Sequence, residues 1–224
     1  MIASKNHTKK FTKTIRHQRH RRVLLYIFIL LLVIHMGKNL FENVLTHYRY
    51  LSNTIDISND LTGDIPSFYQ YDLRWSHRAY GNNTMKYNGC GPTCLSMVYC
   101  GLTGDKTYHP YQVAKMSEEH DFYIEGQGTS WNLMTEGAQL LGLHSEAISA
   151  NKSSIVSALK DGKPIICSVG PGDFTTEGHF IVLTGINDDG TIRLHDPNSK
   201  KRSQQSWDIE RLIPQIKALW AYSK

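Results

Sequence analysis

The sequence predicts an α+β fold: a helical first part, an antiparallel second part, and a membrane anchor in front of both. Three observations predict it. Helix-start and helix-stop signals cluster between residues 90 and 162. Short apolar runs and one strong hairpin signal fall between residues 164 and 195. Ahead of both, a basic leader runs directly into twelve uninterrupted apolar residues, Val23 to Ile34.

The leader explains the charge of the chain. The formal net charge is +5, which by itself suggests a nucleic-acid or acidic-surface binder. Residues 1–22 carry Lys5, Lys9, Lys10, Lys13, Arg16, Arg19, Arg21 and Arg22 and no acid, which is +8. The remainder holds 17 basic and 20 acidic groups, hence −3. A basic nucleic-acid-binding domain is therefore not expected. At 224 residues and 40% hydrophobic content, the chain suits one well-buried domain and argues against a disordered or collagen-like one.

Twelve helical residues span about 18 Å, against roughly 30 Å of hydrocarbon. Extending the helix to Phe41 gives about 28 Å, with Lys38 able to snorkel to the interface. No small-x-small cleavage pattern follows, so 23–41 reads as an uncleaved signal-anchor. Cleavage and secretion is the alternative. The positive-inside rule then puts the 1–22 tail in the cytoplasm and the C-terminal body outside the cell membrane. Residues 42–63 read as a stalk, and 64–224 as the globular domain.

Within that domain, Gly89 and Pro92 open a helix over Cys90 to Cys100. Pro110 to His120 is a second. Thr129 or Ser130 is expected to cap a third, ending at Leu141-Gly142, and Ser153 or Ser154 a fourth, ending at Asp161-Gly162. Pro164 to Val169 is a short buried strand. His179 to Thr184 and Thr191 to His195 flank Asn187-Asp-Asp-Gly190 as a hairpin.

Cys90 lies between Gly89 and Gly91 at a helix mouth, where free N–H groups and the positive end of the helix favour a thiolate. A thiolate nucleophile needs a base, and His179 opens a strand. With a two-residue hairpin loop, His179 and Asp196 share a sheet face; a three-residue loop puts them on opposite faces. A carboxylate beside the imidazole fixes its tautomer. Cysteine on a helix, then histidine and aspartate on a sheet, is a papain-like order.

Phe68-Tyr-Gln-Tyr-Asp-Leu-Arg-Trp75, Gly89-Cys-Gly-Pro-Thr-Cys-Leu-Ser-Met97, Gly126-Gln-Gly-Thr-Ser-Trp131, Gly178-His-Phe-Ile-Val-Leu183 and Asp196-Pro-Asn198 resemble the bacteriocin-processing (double-glycine-leader) peptidase-like family of papain-like cysteine peptidases. The resemblance covers about 64–210. It implies Cys90 as nucleophile, His179 as base, Asp196 as orienting acid, and Gln70 as the side-chain donor of an oxyanion hole. Gln70 stands twenty residues before Cys90, with Tyr71 to Asn88 inserted, farther than in transporter-linked members. With no ATP-binding or multi-span segment, the chain is similar instead to stand-alone exported members.

The expected function is cleavage of a peptide or cell-wall stem peptide by an extracytoplasmic, membrane-anchored cysteine peptidase or amidase. The alternatives are a catalytically silent binding module and a transamidase or acyltransferase on the same scaffold. No cofactor, metal or nucleic-acid partner is expected: Cys90 and Cys94 have no second close pair for zinc, and Gly170-Pro-Gly-Asp173 lacks a phosphate-loop Lys. Cys94, Cys100 and Cys167 are expected to be mostly buried thiols, with a bridge to Cys167 left open. His195 is expected to face away from the site. Asp72, Arg74 and Trp75 are expected to hold the domain edge, and Trp131 to be core, with a substrate platform as its alternative.

Overall fold

The computed structural model describes residues 26–41 and 55–224. The chain divides into two compact units, Met1–Asn53 and Thr54–Lys224. In the first, residues 26–41 form a helix, α1, about 24 Å long with every side chain exposed. Among the described residues no helix is long and apolar enough to cross a membrane. The 1–22 tail and the first residues of the expected anchor lie outside the described residues.

The second unit begins earlier than the sequence suggests. Residues 55–63, read as the end of a stalk, pack within it. Ile57 is buried, and Asp60 meets the Arg74 guanidinium at 2.6 Å. Arg74 also bonds Asp72 at 2.8 Å and lies over the buried Trp75 ring, so this cluster does hold the domain edge.

The helical part follows. A small hairpin, β1 (Ala79–Tyr80) and β2 (Asn83–Thr84), leads into α2 (Met85–Asn88) and α3 (Cys90–Thr103). α3 is buried from Gly91 to Cys100, because nearly every residue there is small or apolar, and it stops at Gly104 in the left-handed region, φ 69°. α4 (Pro110–Glu119) starts with Pro110 at its first turn and is capped by the His109 ring, which accepts from the Gln112 N–H at 3.2 Å.

The expected third helix is different. Gly128–Thr129 is a strand, β4, paired with β3 (Tyr123–Ile124). Gly126 and Gly128 both sit at positive φ to make that turn. Helical structure begins only at Leu133–Gly137, in π form, and continues as α5 (Ala138–Leu140). α6 (Lys152–Lys160) is capped by Asn151, not Ser153 or Ser154; its side chain accepts from Ser154 N–H at 2.9 Å. Asn151→Ala is expected to cost about 1 kcal/mol, readable as a lowered denaturation midpoint.

The sheet has five strands in the order β5 (His144–Ala147), β9 (Ile216–Ser223), β6 (Ile165–Val169), β7 (His179–Ile186), β8 (Ile192–His195), every pair antiparallel. One face packs Ile166, Phe180, Val182, Trp220 and Tyr222 against α3. The other packs Ile165, Ile181, Leu183 and Leu194 against Ile155 and Leu159 of α6. Helices before an antiparallel sheet is the α+β arrangement the sequence predicts. Short helices α7 (Lys200–Ser203) and α8 (Ile209–Leu212) cross between β8 and β9.

The β7–β8 hairpin corrects one premise. Its closing pair is Asn187 with Thr191, so the loop has three residues, Asp188-Asp189-Gly190. That register alone would put His179 and Asp196 on opposite faces. A bulge between Leu183 and Gly185 shifts it by one, from Gly185 opposite Arg193 to Leu183 opposite Leu194. The two departures cancel, and continuing the shifted register gives His179 and Asp196 the same parity.

Candidate active site

The N-terminus of α3 meets the rim of the sheet where β7 begins. Gly89, at the N-cap of α3, offers no side chain, so the first N–H groups of the helix stay free of a side-chain cap. Gly91 is required by contact: a Cβ there would lie 2.6 Å from Thr129 Cγ2. Cys90 between them is half-buried and free of any disulfide.

His179 is buried at 7% exposure, and its Nε2 lies 2.8 Å from Asp196 Oδ1. With Nε2 on Asp196, the other ring nitrogen is left for Cys90. Burial works to raise the Cys90 thiol pKa. Hydrogen bonding and charge from His179, helped by the Phe180 and Gly91 N–H groups, outweigh it and bring the thiol below its ordinary value. Burial works against the His179 charge too, but Asp196 and Cys90 raise its pKa to about 9. The two shifts run in opposite directions and so favour one state, thiolate beside imidazolium, over the window between them.

Asp196 is fully buried, which favours its neutral form, yet its pKa lies below the usual carboxylate value. The donors around it explain this. Besides His179, Oδ1 accepts the Asn198 N–H at 2.8 Å, and Oδ2 accepts from Arg202 Nε. Its own N–H donates to Ser203 Oγ at 2.8 Å. Arg202 is a site residue that sequence reasoning missed. Ser199, accepting from the Arg202 N–H, caps the short helix α7 that delivers it; the Asp-Pro-Asn-Ser stretch before it was the available signal. Arg202→Met leaves Oδ2 buried without a donor. It is expected to destabilise the protein by about 1–3 kcal/mol, measured by chemical denaturation.

Gln70 is also buried, but it does not line the cleft that holds Cys90 and His179. Its backbone N–H donates to Pro197 O at 2.8 Å, tying it to the Asp196 loop. Its Nε2 donates to Lys86 O at 2.7 Å, and Oε1 is buried without a protein partner. The Lys86 carbonyl thereby fixes which way the amide points and leaves one amide proton over.

The cleft has a volume of about 500 Å³. Tyr87, Tyr123 and Trp131 line it, with Asn88, Ser168 and Glu177. Trp131 is 49% exposed, not core. Its indole N–H donates to Ser168 Oγ at 3.2 Å, and its ring packs edge-on against buried Trp220. The β3–β4 hairpin, which replaced the expected helix start, is what holds it out. His195 does face elsewhere, its Nε2 3.0 Å from Ile65 O.

Cys94, Cys100 and Cys167 are buried free thiols. Burial raises all three pKa values, Cys100 to about 12. Cys90 and Cys94, one helical turn apart, are thus driven in opposite directions. Among the described residues no cluster of His, Cys, Asp or Glu could hold a metal.

The family model described as the Peptidase C39 like family matches residues 62–224, nearly all of the second compact unit. No curated protein matches the chain.

Proposed function

Because the chain belongs to the Peptidase C39 like family, we propose that it is a membrane-anchored, extracytoplasmic cysteine peptidase of papain-like fold, cleaving a peptide or cell-wall stem peptide through Cys90, His179 and Asp196. The observation that carries this reading is His179, buried between the Cys90 thiol and the Asp196 carboxylate, with both neighbours shifting its pKa upward.

In this mechanism the Cys90 thiolate attacks the amide carbonyl carbon at the mouth of α3. The carbonyl oxygen takes the negative charge. The Cys90 backbone N–H stabilises that oxyanion. His179 gives its proton to the departing amine, leaving a thioester on Cys90. A water then attacks the thioester, His179 accepts its proton, and the acid product leaves. Asp196 holds the ring in place throughout and favours the imidazolium. The anchor belongs to the same proposal: α1 continues the apolar run that begins at Val23, and the basic residues of 1–22 orient it.

Treating the full-length protein with iodoacetamide near neutral pH tests the nucleophile. Label is expected on Cys90 alone, since the three other thiols are buried with raised pKa values, and it is expected to vanish in Cys90→Ser. No label, or equal label in that variant, would overturn the assignment.

A further inference from the structure

The cleft beside Cys90 combines aromatic faces with one unpaired acid. Trp131 presents a half-exposed indole, held from behind by Ser168 and Trp220. The Tyr123 ring is fixed too: its hydroxyl donates to Asn82 Oδ1 at 2.7 Å and accepts from Asn88 Nδ2 at 3.1 Å. Glu177 lines the same cleft two residues before His179 and is exposed. Its backbone N–H bonds Thr175 Oγ1, but its carboxylate has no partner among the described residues. No Lys or Arg lines the cleft. One of its lining rings, Tyr87, already holds a positive charge, the Lys86 ammonium lying 5.4 Å from the ring centre.

A rigid indole face and an unneutralised carboxylate are the two elements that recognise an ammonium or guanidinium group. An apolar side chain would use the indole and leave the carboxylate idle; an acidic one would meet it as a like charge. We propose that the Trp131–Glu177 side of the cleft is a specificity subsite for a cationic side chain, lysine or arginine, of the peptide substrate. The assignment rests on the peptidase reading of Cys90, but its binding step does not require turnover.

The test separates the two. Acetylated, amidated Ala-Ala-Xaa-Ala-Ala peptides, with Xaa lysine, norleucine or glutamate, are titrated into the full-length Cys90→Ser variant by calorimetry. Lysine and norleucine share length and differ in charge. Lysine is expected to bind roughly fivefold to tenfold more tightly than norleucine, and glutamate more weakly than either. Adding Glu177→Gln should remove most of the lysine advantage and leave norleucine unchanged. Trp131→Leu should weaken both, and lysine more than norleucine, because the cation–π attraction is lost along with the apolar contact. Equal binding of the two, a lysine preference undiminished by Glu177→Gln, or no binding by any peptide would overturn the subsite. If the lysine preference holds while wild-type protein leaves the peptide uncut, the subsite stands and the hydrolytic reading fails.

Discussion

Peptide hydrolysis by a His179→Ala variant is expected to fall by roughly 10³-fold or more. Two losses combine. The Cys90 thiolate loses the charge and hydrogen bond that offset its burial, so the thiol pKa rises above its ordinary value. The leaving amine loses its proton donor. Because the site holds no second imidazole, nothing replaces His179; His195 is engaged with Ile65 O. Single-turnover assays with a quenched peptide would measure the loss. A variant retaining a tenth of wild-type activity would contradict the role.

Asp196→Ala is the second large effect, and it is expected to act on stability as well as rate. Removing one member of a buried charge-paired group leaves its partners uncompensated, which costs about 3–5 kcal/mol when they stay buried. Arg202 is partly exposed and can turn toward solvent, so about 3 kcal/mol is expected. Asp196→Asn is the sharper probe. An imidazolium donates from both nitrogens, so an asparagine oxygen still accepts from His179 Nε2. Its amide NH₂ then faces Arg202 Nε, donor against donor. The variant should therefore be destabilised through Arg202, and Arg202→Gln should restore part of the loss, because glutamine can present an acceptor. Without the carboxylate charge the His179 pKa must fall from about 9, so the basic limb of the rate profile should move to lower pH. A denaturation series and a pH–rate profile on the single and double variants would test both statements.

The helix mouth at Cys90 was legible because its signal is local. Two glycines around Cys90 and Pro92 two residues later specify a helix mouth whatever the rest of the chain does. β6 and β7 were legible as apolar runs. β9 was not, although it is central to the sheet: with both faces largely covered it shows no alternation, and Ile213-Pro-Gln before it reads as a loop. Trp131 was misread because Thr129-Ser130 looks like a helix cap, whereas cross-strand pairing with Tyr123 decides the backbone there. The His179–Asp196 parity depended on a loop length that sequence alone left open, and a bulge at Thr184 settled it. Arg202 escaped because an arginine in a basic run, Lys200-Lys-Arg202, looks like solvated surface until the buried Asp196 is placed beside it.

The thiolate–imidazolium pair is tested most directly by the rate of Cys90 alkylation by iodoacetamide as a function of pH, in wild type and in His179→Ala. Cys90 is lowered and His179 is raised, so thiolate must be present below the ordinary thiol value of about 8.5. The rate should reach a plateau in that range, be lost as acid protonates the thiolate, and change again near pH 9 as the imidazolium loses its proton. The second step should vanish in His179→Ala, with the first moved to higher pH. A single ionisation near pH 8.5 or above in the wild type, unchanged by removing His179, would contradict the pair.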